Sequence, residues 1–64
     1  MVNEIYIVKG IKRIKDGIEF HIERIEALSV MNAAYKFEKI CPEYELFTIF
    51  IESDPNYIWF AVDI

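Results

Sequence analysis

The chain has 64 residues, 55% hydrophobic and 16% aromatic, with seven basic and eleven acidic side chains and a formal charge of −4. A chain of this length forms a single domain, residues 1–64, that buries only about 60% of its unfolded surface, and its apolar content is too high for disorder. The one cysteine, Cys41, excludes an internal disulfide, and no Cys/His spacing suggests structural zinc, so dense packing or another chain must supply the missing support.

The opening MVNEIYIVKG places an acid where a basic leader would sit, and no stretch approaches the ~20 apolar residues of a membrane span. A cytoplasmic protein with a reduced cysteine is expected. Charge is unevenly placed: residues 1–32 carry five basic and five acidic groups, whereas residues 33–64 carry two basic and six acidic ones. That balance opposes general affinity for nucleic acid, which requires a basic footprint, and favours a basic partner.

Residues 4–14, EIYIVKGIKRI, are rich in β-branched side chains and predict a strand, with Gly10 marking a bulge or a close backbone approach. Asp16-Gly17 predicts a two-residue hairpin turn. Residues 18–26 then return as a second strand, pairing Ile11 with Ile22 and Val8 with Ile25; a three-residue loop would shift this register. Ile18, Phe20 and Ile22 share one face, and Glu19, His21 and Glu23 the other. On that second face the wet distal end, Lys12 with His21, gives way toward the base to Tyr6, Val8, Ile25 and Ala27.

LSVMNAAYKFEKICP is the helical candidate of about 12 residues: Ser29 is a good N-cap, and Val30, Ala33, Ala34, Phe37, Ile40 and Cys41 recur at spacings of three and four. Pro42 ends it. YELFTIFIES predicts a third strand, SDPN a turn on Pro55 and Asn56, and YIWFAVDI, residues 57–64, a fourth strand. The expected fold is α+β in the order ββαββ, one four-stranded, mostly antiparallel sheet with a single helix on one face.

A sheet covered on one face should alternate apolar with polar residues, yet the closing segment does not. Tyr57, Trp59 and Ala61 lie on one side and Ile58, Phe60, Val62 and Ile64 on the other. Large apolar groups must therefore occupy both faces, and no connection is long enough to fold back over the second. A patch of that kind exceeds what soluble monomers expose, so a second protein chain is expected to cover it. The expected hydrophobic contact set is Leu46, Phe50, Tyr57 and Trp59, with Glu43, Glu45, Glu52 and Asp54 attracting a basic partner.

Chemistry finds little support. His21 between Glu19 and Glu23 has a spacing able to ligate a metal, but reads as a solvated histidine, and Cys41 reads as a small hydrophobe on the helix stripe. No nucleophile–histidine set, P-loop or GxGxxG is present. The expectation is no enzyme, no cofactor and no metal. The basic run of Lys9, Lys12, Arg13 and Lys15 is split between two faces, as gatekeepers on a strand edge are; its alternative reading is RNA contact.

EFHIERIEALSVMNAAYKFEKICPEYELFTIFIES resembles a strand-helix-strand pattern in which Glu26-Ala27 ends the first strand, Ser29 caps the helix, and Ala33-Ala34 sit within it. It is similar to small acidic phage inhibitors of host RNA polymerase and to the archaeal ribosomal protein LX; the acidic charge counts against the second. The phage likeness implies a small acidic protein that blocks a nucleic-acid-handling host machine by occupying a basic surface. Small size, the acidic C-terminal half, the two-faced apolar sheet and the absent catalytic set give the leading expectation, a non-enzymatic phage or mobile-element inhibitor that binds and blocks a host or immune protein, for instance a CRISPR effector. The rival expectations are a self-associating homodimeric module and a small RNA-binding accessory protein.

Overall fold

The computed structural model describes residues 3–60, and only the backbone of Pro55, Tyr57 and Phe60. The elements are β1 (Glu4–Ile14), β2 (Gly17–Ala27), α1 (Val30–Ile40), β3 (Glu45–Ile51) and β4 (Asp54–Phe60). The strands form one antiparallel sheet in the order β2-β1-β3-β4. This is the expected ββαββ arrangement, with the helix carrying the chain from one flank of β1 to the other. Its thickness of 15 Å has room for one sheet and one helix, while the broad face spans 42 × 24 Å.

The first hairpin departs from the expected register. Ile14 pairs with Gly17 and the turn residues are Lys15 and Asp16, so Ile11 faces Phe20 and Val8 faces Glu23. A type I′ turn at Asp16-Gly17 needs positive φ at both positions. Among the described residues only Gly17, at φ 151°, has it, so the chain turns one residue earlier and uses glycine's freedom just after the turn. The pairing moves by two residues rather than one, and side chains therefore keep their expected faces.

Helix α1 starts where a hydroxyl is available. The Asn32 amide donates to Ser29 Oγ at 3.1 Å, and the Leu28 amide donates to Asn32 Oδ1 at 3.1 Å. Replacing Ser29 with alanine removes one of these, and a loss of about 1 kcal/mol is expected from the urea midpoint. Ala33 and Phe37 are buried, with Val30 and Ala34 packed partly against the core. Ile40, expected in the stripe, is 55% exposed; the helix turns it past the sheet and Cys41 takes the last inward place.

The last hairpin also differs. Its turn is Glu52-Ser53, closed by Ile51 facing Asp54, and Pro55 and Asn56 belong to β4. Proline is tolerated there because β4 is an edge strand, where a missing N–H breaks no ladder bond. A register shift between Phe50 and Ile51 absorbs the earlier turn. Residues 61–64, expected in this strand, lie outside the described residues.

The core forms between α1 and one sheet face, from Tyr6, Val8, Ile25, Ala27, Ala33, Phe37, Cys41 and Ile49. Gly10 explains how the helix sits so close. A Cβ there would come within 2.5 Å of Phe37 Cζ and 3.0 Å of Tyr44 Cβ. The β1–β3 register also shifts between Lys9 and Gly10, so both meanings read from this glycine apply.

Candidate functional site

Helix α1 is 11 residues long, roughly 16 Å at 1.5 Å per residue, and it packs on only one side of the sheet. On the other side, registration places Ile5, Ile7, Ile11, Ile18, Phe20, Ile22, Phe50 and Ile58 together. The rings of Phe20 and Phe47 meet at 6.3 Å across β1 on this side, which buries Ile11 to 1% exposure outside the helix-side core. Ile22 is 59% exposed, Phe20 51% and Ile58 46%. The helix-free face is thus a largely apolar surface with its own partly formed centre.

Its charges are balanced. By register Lys9, Arg13, Arg24, Glu26 and Glu45 point to this side. The Glu52 amide donates to the Ile5 carbonyl at 2.9 Å, and its carboxylate accepts from Arg24 Nε at 2.5 Å and Nη2 at 2.9 Å. This forked pair reaches from β2 over β1 to the end of β3. It holds Glu52 below the usual carboxylate range, chiefly through the Arg24 hydrogen bonds, with partial desolvation opposing and the Arg24 charge assisting, and raises Arg24 in turn. This face thus holds three cations and three anions. Among the described residues the whole acid excess, seven anions against four cations, therefore lies off the apolar face.

The expected contact residues divide accordingly. Phe50 lies on the helix-free face, whereas Leu46 and Trp59 pack partly against the helix-side core; the Tyr57 side chain lies outside the described residues. Glu43 is exposed in the loop before β3, Glu45 and Asp54 are exposed at strand starts, and Glu52 is engaged by Arg24. Sequence reasoning missed Ile18, Phe20 and Ile22 as surface, although their shared face was already legible. Of the basic run, Lys9 and Arg13 lie on the helix-free side, with Lys9 Nζ 4.7 Å from the Phe20 ring centre. Lys12 reaches the Tyr44 ring at 5.6 Å on the helix side, and Lys15 is in the turn.

A second cluster lies on the helix side, beyond the C-terminus of α1. His21 Nε2 is 2.7 Å from Glu23 Oε1, and the Cys41 thiol donates to the same oxygen at 3.9 Å. The Tyr44 ring packs against His21 at 5.2 Å, tilted by 32°, and its hydroxyl donates to Glu19. Burial pushes the Cys41 thiol up, and the charges of Glu23 and Glu43 add to this. The Glu19 hydrogen bond chiefly pushes the Tyr44 phenol up to about 12. Because the folded value exceeds the ordinary 10.0, the contribution to stability is complete below that value and is lost as pH rises toward 12. We expect the urea midpoint to fall over this window in the native chain and to fall less in Tyr44→Phe.

Compared with known protein families, with curated proteins and with solved structures, the chain matches none.

Proposed function

We propose that the chain is a small non-enzymatic protein-binding module whose helix-free sheet face packs against a second copy of itself. The observation that carries this reading is a neutral apolar face on an otherwise acidic molecule. Ile22, Phe20, Ile18 and Ile58 are exposed there, and each large side chain buried contributes ~1.5–3 kcal/mol. Two identical copies meet without net repulsion because the face holds equal numbers of cations and anions. The broad side, at most 42 × 24 Å, can furnish the roughly 800 Å² per partner of a standard interface. Two such sheets stack at ~10 Å to make a four-layer sandwich with helices outermost.

Sedimentation equilibrium tests this. A dimer that dissociates only at low concentration supports the reading, and a strict monomer at high micromolar concentration overturns it.

A second reading follows from where the acid excess sits. A dimer packed through neutral faces would display Glu38, Glu43 and Asp54 on its exterior, all exposed. That exterior suits a basic surface such as that of a nucleic-acid-handling host protein, the inhibitor role implied by the phage likeness. A host protein cross-linked by the native chain and lost on Glu43→Lys with Asp54→Lys supports it; equal capture by the charge-reversed variant counts against it.

A further inference from the structure

We propose that His21, Glu23 and Cys41 form a binding site for a single zinc-class divalent ion. Their ligand atoms, an imidazole nitrogen, a carboxylate oxygen and a thiol sulfur, all lie within 4.8 Å of one another. A tetrahedral zinc with Zn–S of ~2.3 Å and Zn–N and Zn–O near ~2.1 Å places ligand atoms roughly 3.3 to 3.6 Å apart. The observed 2.7 Å between His21 Nε2 and Glu23 Oε1 and 3.9 Å between Glu23 Oε1 and Cys41 Sγ bracket that range. Small side-chain rotations would open the first and close the second.

The chemistry of the set points the same way. Thiolate with imidazole and carboxylate suits a borderline-soft ion better than magnesium or calcium, which take oxygen ligands. On binding, the Cys41 thiol releases its proton to solvent and the sulfur bonds to the metal. Thiolate and carboxylate together then neutralise the doubly charged ion. Without metal, the same place holds a buried thiol, 5% exposed, against a carboxylate.

The fold supplies positioning and access. His21 and Glu23 project from one side of β2, and Cys41 is the residue that caps α1, its amide donating to the Phe37 carbonyl at 2.8 Å. Tyr44 packs at a tilt against the imidazole ring and is itself fixed through Glu19. The His21 and Glu23 side chains remain 38% and 31% exposed, so an ion can enter from solvent, and a water completes the fourth position. Bound there, the ion would tie the end of α1 to the arm of the first hairpin. A small domain without a disulfide gains a cross-link at the place where its helix stops covering the sheet.

The test is a cobalt(II) titration of the untagged, reduced full chain followed by absorption, with zinc as competitor. The expected result is one ion per chain, a thiolate-to-cobalt charge-transfer band, tetrahedral visible bands, and displacement by zinc. Cys41→Ser should abolish the charge-transfer band. Changing groups that merely orient a ligand costs ~10- to 100-fold in affinity, so His21→Asn and Glu23→Gln should each weaken binding by more than that. No saturable spectrum in the native chain overturns the proposal, as does a charge-transfer band that survives Cys41→Ser. Should Cys41→Ser fail to fold by circular dichroism, the partly exposed His21→Asn decides, and native-like affinity in that variant overturns the site.

Discussion

Phe37→Ala is expected to leave the chain largely unfolded at room temperature. Phe37 is fully buried, with 0% exposure, at the centre of the only cluster that joins α1 to the sheet among the described residues. Truncating a buried phenylalanine costs ~3–5 kcal/mol, because a cavity is added to the lost transfer energy. The single core of a domain as small as this one, 64 residues, rarely supplies more than ~3–5 kcal/mol. The loss therefore consumes most or all of it, and circular dichroism with urea titration should show no folded baseline, or a very short one.

Gly10→Ala probes the same contact from the opposite side. Alanine normally suits a strand interior better than glycine, but here its Cβ would stand 2.5 and 2.9 Å from two ring carbons of Phe37. A fully buried ring cannot swing aside, and overpacking costs ~1–3 kcal/mol. Combining Gly10→Ala with Phe37→Leu should cost less than the two changes added together, since the smaller side chain vacates the space the new methyl needs.

The second large effect is on assembly. Ile22→Glu should convert a dimer to a monomer while leaving the fold intact. The side chain is 59% exposed and lies on the side away from the helix-bound core, so the isolated subunit loses little. In a two-fold interface each substitution occurs twice. Two lost contacts at ~1.5–3 kcal/mol each give ~3–6 kcal/mol, or ~10²- to 10⁴-fold in dissociation constant, before any cost of burying the new charge. Met31→Glu, on the outer side of α1 and 80% exposed, is the control and should leave the dimer unchanged. Sedimentation equilibrium reads both.

Much of the fold was legible because side-chain alternation depends on parity alone. The first hairpin is shifted by two residues from its expected pairing, yet Tyr6, Val8, Ile25 and Ala27 still point into the core. Turn positions were less legible. Asp16-Gly17 and Pro55-Asn56 carry strong turn preferences, but Gly17 serves just after its turn and Pro55 enters an edge strand instead. Local preference there gave way to the pairing of flanking strands. The apolar second face was legible from the alternation failure in the last strand, whereas its occupants from that strand were not, because register decides whether Trp59 or Ile58 faces the helix.

The ligand cluster was half legible. Strand alternation puts His21 and Glu23 on one face, but periodicity gives Cys41 only a place on the helix stripe. A helix returning from Ala27 covers ~16 Å over 11 residues. That is about five strand residues at ~3.3 Å, which brings its end back over residue 22 of β2. Sequence spacing alone hides this approach, and element lengths recover it.

A second copy covering the helix-free face brings the methyl groups of one chain against the rings of the other. Isotope-filtered NOE spectra on a mixture of labelled and unlabelled chains measure this directly. Cross-peaks between chains from the methyl groups of Ile22 and Ile58 to the rings of Phe20 and Phe50 are the predicted result. Inter-chain contacts confined to the β2 edge or to the outer side of α1, or none at millimolar concentration, would contradict it.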